Sequence, residues 1–219
     1  MDSPDISTQT STVDAWTHAL AGRNGSPGGG AGAGVMLAIA ASLMSMVAGY
    51  SEHDDRDDDA VVVDLHARAR SLRETALRLA DEDSTASAAF GAAYRLEKGP
   101  ARDAAIRQAS IDAARASSVL GRHATDAIDD LEWLALHGNP ALIADVVVAL
   151  GALRAAVTGA RTNVSFDLAA VSRVGEPPTQ VHAENPTVWD SVREFDEARD
   201  RIDEIMAAVD DRAAPTDHG

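Results

Sequence analysis

The chain has 219 residues, enough for one sizeable hydrophobic core. Only 4% of the residues are aromatic against 45% apolar overall, so that core must be built from Ala, Val, Leu and Ile. Cysteine is absent, which excludes a disulfide scaffold, a thiolate nucleophile and a cysteine-ligated metal. A net charge of −16 argues against nucleic acid or an anionic membrane surface as partner, because both bind cationic patches. Lys98 is the single lysine; a GC-rich coding bias or adaptation to high salt would each leave such an arginine-rich, carboxylate-rich surface.

In chain order, Met1 to Val13 is polar and acidic and lacks the basic and apolar regions of a secretion signal. Residues 1–11 read as a loose terminus. A short helix is followed by Asn24 to Gly34 (NGSPGGGAGAG), a loop leading into a helix of small residues. The apolar run in that helix, Val35 to Ala48, is about fourteen residues and too short to span a bilayer, which takes roughly 20. A cytoplasmic protein is the default expectation. Glu52 to Asp59 (EHDDRDDD) lacks the glycine and distal glutamate of a calcium loop and reads as a solvated linker. Ala60 to Val63 is a short β-branched run flanked by acids.

Helical periodicity is strong from there on. Leu65, Ala69, Leu72, Ala76, Leu79, Asp83, Ala86 and Phe90 step by fours and threes. Gly99-Pro100 breaks this helix from a second stripe, Ile106 to Leu134, about eight turns long. Gly138-Asn139-Pro140 reads as a helix stop, an N-cap and a first-turn proline, opening a helix to about Ala169. Gly151, Ala155 and Gly159 give that helix a smooth edge for close packing. Residues 173–186 hold three prolines and read as a connector, 187–211 as a last helix packing on the bundle, and 212–219 as a loose tail. The expected fold class is all-α, an antiparallel bundle of long amphipathic helices. The small-residue faces favour a homodimer, because backbones can approach closely there.

Three places combine polar groups with buried surroundings. Gly28, Gly29 and Gly30 leave backbone N–H groups free to face a ligand at a helix N-terminus, although a flexible turn is the more frequent explanation of such a loop. The loop lacks the Lys-Ser/Thr ending of a nucleotide-binding P-loop. Asp83 falls on an apolar stripe, where desolvation raises a carboxyl's pKa and suits it to acid–base work; pairing with an arginine or capping a neighbouring helix is the other reading. Asp145 and Asn163 share one helix face but lie about 27 Å apart, so they cannot act together within one chain. The seven histidines form no HxxxH or HExxH pair, so no metal site is expected.

These same places carry a resemblance to the cyclodeaminase/methenyltetrahydrofolate cyclohydrolase family. Trp16 to Gly49 resembles its helix–P-x-P-G-G-G-S/A–small-residue-helix pattern. Leu79 to Asp83 resembles L-A-D-E-D, and Arg102 to Ala109 (RDAAIRQA) resembles R-x-A-A-I-Q-x-A. Gly138 to Asp145 (GNPALIAD) and Asn163 to Leu168 (NVSFDL) resemble G-N-x-N-x-x-S/T-D and N-V-R-I-N-L. The resemblance implies a homodimeric helical bundle that takes a tetrahydrofolate derivative and uses no metal or redox cofactor. It implies either ammonia loss from 5-formiminotetrahydrofolate or hydrolysis of the 5,10-methenyl ring. Asp83 and Asp145 are the candidate catalytic carboxylates; Gly28, Gly29, Gly30, Asp81, Asn139 and Asn163 are the candidate substrate contacts. The chain departs from the pattern at Ala31, Gly49 and Ala144, and carries acids at Glu52 to Asp59 where the family often has lysines. A non-catalytic helical dimer of the same fold, acting as an interaction module, is the alternative.

Overall fold

The computed structural model describes residues 6–23, 25–51 and 59–218, and among these it contains helices and no strand. The helices are α1 (Val13–Leu20), α2 (Gly29–Gly49), α3 (Asp59–Arg95), α4 (Pro100–Asp126), α5 (Ile128–His137), α6 (Ile143–Arg173), α7 (Pro178–Glu184) and α8 (Pro186–Ala213). The all-α bundle is as the periodicity predicts. Single 3-10 turns precede α6 (Pro140–Leu142) and follow α8 (Pro215–His218).

Local chemistry sets most boundaries. Thr12 caps α1 by accepting from the Ala15 N–H at 3.2 Å. Gly99 has φ 156°, a conformation glycine adopts readily, and Pro100 opens α4 behind it. The β-branched run Ala60 to Val63 is the first turn of α3, not a strand, because Val62 and Leu65 continue the helical stripe into the core. The long stripe after Pro100 is interrupted at Ala127, whose ψ of −7° turns the chain and whose N–H bonds back three residues to Ala124. Neither glycine nor proline marks that break, and Ile128, Leu131 and Leu134 stay in phase beyond it.

Two helices organise the packing. α2 lies against α3 and α6, and α6 also packs on α4 and α8. Gly34 lets α2 approach α3 closely: a Cβ there would stand 2.7 Å from the Ala80 Cβ and 3.2 Å from the Ala76 carbonyl oxygen. Gly159 does the same for α6, where an added Cβ would stand 2.8 Å from that of Ala33. Gly151 meets nothing within 4 Å, so of the small-residue edge on α6 only its Gly159 end is used inside the chain.

α8 belongs to the body of the bundle. Its Phe195 is fully buried over Gly121 of α4, and Ile202 and Val209 complete the same face. Arg154 grips Asp203 with two hydrogen bonds of 2.5 and 2.8 Å, Arg161 pairs with Asp196, and Arg201 reaches Asp129 and Glu132. Such half-exposed pairs add little stability singly but fix how α8 lies on α5 and α6. The connector 173–186 contains α7, and of the expected tail 212–219 the described residues 212–218 form the end of α8 and a 3-10 turn.

α2 is longer than its apolar run: 21 residues, enough by length and composition to cross a membrane, as is Pro140–Arg173. Both are helices of this bundle, with 56% of the apolar window of α2 and 33% of that of the second buried within the chain. Outward-facing apolar residues therefore remain, among them Met36 and Ile39 on α2 and Val148 and Phe166 on α6.

Candidate functional site at the glycine-lined end of the second helix

The N-terminal segment ties the glycine loop's surroundings together. Asp81 on α3 accepts hydrogen bonds from the Ser7 hydroxyl (2.8 Å), the Thr8 N–H (2.5 Å) and the Gln9 amide (3.0 Å). Desolvation pushes this carboxyl up, but the three donors together hold it below its ordinary value. Thr8 in turn accepts from the Trp16 indole at 3.1 Å, and Trp16 is buried against Ala31 and Ala80. Residues 6–11 are thus fastened to α3, and Asp81 serves that fastening; it does not line the cleft described next.

Two residues further, about half a turn, Asp83 points the other way. It is 7% exposed, and its carboxylate covers the first turn of α2, accepting from the Ala31 N–H and from the Ser87 hydroxyl at 3.4 Å. A Cβ at Gly30 would stand 2.0 Å from its Oδ1, so only glycine admits the carboxylate here. Burial pushes the Asp83 pKa up, and the two donors pull it partly back. The capping reading of Asp83 is realised, since it accepts from the backbone of α2, and its carboxyl also lines a cavity.

That cavity is a cleft of about 330 Å³, lined by Gly25, Gly28, Gly29 and Gly30 of the loop, Asp83, Ser87, Phe90 and Gly91 of α3, Ala113 and Ser117 of α4, and Asn163 and Asp167 of α6. Ser26 anchors the loop by donating to the Ser84 carbonyl at 2.8 Å. Of the eight candidate residues, Gly28, Gly29, Gly30, Asp83 and Asn163 meet at this cleft. Among the described residues its lining holds no lysine, arginine or histidine. Arg95 stands close by at the rim, where its Nη1 would lie 3.5 Å from a Cβ at Gly91.

Asn139 and Asp145 lie elsewhere. The Asn139 side chain accepts from the Ala141 N–H (3.0 Å), and its own N–H donates to the Ser51 hydroxyl (2.9 Å) just beyond the C-terminal end of α2. Asp145 is in the first turn of α6, at the same end of the bundle. The length of α2, about 30 Å, separates both from the glycines. Asn139 is the predicted cap, here of a 3-10 turn. The acidic run's residues 52–58 fall outside the described residues.

Asp167 is the residue that motif reading missed. It is half-buried, four residues beyond Asn163 on the same face of α6, and burial together with the Asp83 charge pushes its pKa up to about 7. The signal was present in the i, i+4 spacing from Asn163 inside NVSFDL, where the family pattern carries Asn. Among the described residues no group of three or more His, Asp or Glu is arranged to hold a metal. A second cavity, about 350 Å³ between α6, α7 and α8, is walled by Leu168, Trp189 and Val192 and has no ionisable lining.

Comparison with known proteins follows the same segments. The family model for formiminotransferase-cyclodeaminase matches residues 12–173. The formimidoyltransferase-cyclodeaminase of Gallus gallus is 27% identical over 166 residues, covering 73% of this chain and 31% of that protein. That of Rattus norvegicus is 28% identical over 176 residues, covering 75% and 32%. The chain thus spans about a third of the length of the curated relatives it matches. The crystal structure of formiminotetrahydrofolate cyclodeaminase from Thermotoga maritima superposes with a TM-score of 0.73 at 22% identity, over 92% of this chain and 98% of that one, which establishes a common fold. The resemblance carried by the motifs holds, and the chain belongs to the formiminotransferase-cyclodeaminase family.

Proposed function

We propose that the chain is a folate one-carbon enzyme, a formiminotetrahydrofolate cyclodeaminase, working in the cleft at the N-terminus of α2. The observation that carries this reading is convergence: three motif segments far apart in sequence, around Gly28 to Gly30, Asp83 and Asn163, line one cavity. About 330 Å³ is at the small end of ligand sites and suits a bicyclic ring system better than a whole folate.

In this reading the pterin end enters between the glycines and Asn163, with the Phe90 ring offering an apolar face. N10 adds to the formimino carbon, giving a tetrahedral carbon between N5 and N10, and ammonia leaves to form the 5,10-methenyl amidinium. Asp83, buried and held by a backbone N–H, sets a carboxyl in the cleft beside the reacting nitrogens, placed to exchange a proton with them. No metal or redox cofactor takes part. The glutamate tail leaves over the rim, where Arg95 is the available cation.

We further propose a homodimer in the cytoplasm. The outward apolar residues Met36, Ile39, Val148 and Phe166, and the unused Gly151, support the dimer, because a partner would take them out of water.

The test is to supply purified protein with 5-formiminotetrahydrofolate and follow ammonia release together with methenyl absorbance. Both rise in step if the reading holds. Loss of added methenyl absorbance with no ammonia chemistry would make it a cyclohydrolase. No turnover of either compound would leave an interaction module.

A further inference from the structure

Two carboxyls face this cleft and, among the described residues, no lysine, arginine or histidine lines it. Asp83 comes from α3, Asp167 from α6, and the remaining walls on the loop, α2 and α4 present glycines, Ala113 and Ser117. Arg95 stands outside, beyond Gly91. Two half-dry acids that repel one another without a counter-ion cannot both be ionised cheaply near neutral pH. Their surroundings decide which keeps the charge. Asp83 accepts from the Ala31 N–H and the Ser87 hydroxyl at the positive end of a helix. Asp167 accepts no hydrogen bond from the described residues, and so gains nothing that would favour its anion.

We propose that Asp83 and Asp167 form a one-proton pair across the cleft, in which ionised Asp83 takes the proton from N10 and protonated Asp167 gives one to the departing ammonia. The proposal rests on the folate reading and deepens it. The atoms balance as follows. The N10–carbon bond forms as the C=N π pair of the protonated formimino group moves to its nitrogen. The N10 proton passes to Asp83, and the Asp167 proton passes to the exocyclic amine. That carbon–nitrogen bond breaks, ammonia leaves with its electron pair, and the N5 lone pair closes the amidinium. One proton stays on the pair throughout, and one positive charge moves from substrate to product. Return of the proton from Asp83 to Asp167 resets the site. An Asp167 carboxyl that titrates at about 7 is poised for this exchange at neutral pH.

The experiment compares wild type and Asp167→Asn for kcat and KM of ammonia release from 5-formiminotetrahydrofolate across pH about 5 to 9. Wild-type kcat should fall as pH climbs past about 7. Asp167→Asn should lose about 10²- to 10⁴-fold in kcat, keep KM within a few-fold, and lose the limb near neutrality. A variant with the wild-type rate, or with that limb intact, overturns the pair while leaving the cyclodeaminase reading in place. A wild type that releases no ammonia overturns both. Should Asp167→Asn fail to fold, carboxyl carbon NMR on the wild type decides: one carboxyl titrating near neutral pH, and falling in Asp83→Asn, supports the pair. Two carboxyls that both titrate in the ordinary range, with Asp167 unmoved by Asp83→Asn, refute it.

Discussion

The two ends of α2 are built from the same residue types and behave differently. At its C-terminal end Asn139 meets the Ser51 hydroxyl and the Ala141 N–H, so its polar atoms are spent on backbone and on a turn. At its N-terminal end Asp83 is buried, Asp167 is half-buried without a donor, and both look into a cavity that glycines keep open. An Asn or Asp in a motif therefore says little about its role until its hydrogen bonds are counted. Asn139 spends its groups on holding the fold together, whereas the carboxyls of Asp83 and Asp167 keep a face on the cavity and can meet a ligand there.

The largest expected effect is at Gly30. Gly30→Ala puts a methyl onto the Asp83 carboxylate, so the acid must leave its place; turnover should drop at least about 10²-fold, measured by ammonia release. The same variant should lose about 1–3 kcal/mol in denaturant unfolding, as overpacked sites do. A Gly30→Ala protein with wild-type turnover would mean that this contact plays no part in activity.

Asp167→Asn tests the other wall through stability. A carboxyl held at about 7 in the fold and near 3.8 when unfolded binds its proton more tightly in the native state, so stability falls as pH rises between those values. The cost is absent below the unfolded pKa and complete above the folded one. The amide removes it, so the variant should match wild type near pH about 4 and exceed it by about 2–4 kcal/mol above pH about 8 in urea titrations. Equal curves at both pH values would show Asp167 to be solvated.

Asp81→Ala should cost about 1–3 kcal/mol at neutral pH by freeing residues 6–11 and the Trp16 contact, read from indole fluorescence and the urea midpoint. Because its donors lower the Asp81 pKa, that contribution is present above the unfolded value and is lost as pH falls through the folded one, in the acid range. The smallest effect is at the opposite end of α2: Asn139→Ala should cost about 1 kcal/mol as a lost cap and leave turnover unchanged. Loss of activity there would erase the contrast between the two ends.

The helices were legible because a core of small aliphatic residues leaves a clean 3.6-residue stripe, and Asp83 stood out as a carboxylate in phase with Leu72, Ala76 and Leu79. The break at Ala127 was not, since a single residue with ψ near zero needs no special side chain. α7 stayed hidden because three prolines in 173–186 look like a connector even when two of them, Pro178 and Pro186, open helices. Asp81 and Asp83 share one motif and, two residues apart on a helix, face opposite ways; packing shows which of the two faces the cavity. Asp167 sits beside the apolar stripe of Val164, Leu168 and Val171, where an acid reads as surface until α3 is seen across from it. The motifs thus announce the family; burial and donors assign the work within it.

The most direct test compares Asp83→Asn with Asp145→Asn, two motif aspartates at opposite ends of the bundle, for ammonia release from 5-formiminotetrahydrofolate. The cleft at the glycine-lined end predicts a loss of about 10²- to 10⁴-fold for Asp83→Asn and a rate within a few-fold of wild type for Asp145→Asn. The reverse pattern, with Asp145→Asn inactive and Asp83→Asn unimpaired, would place the chemistry at the other end and contradict the account.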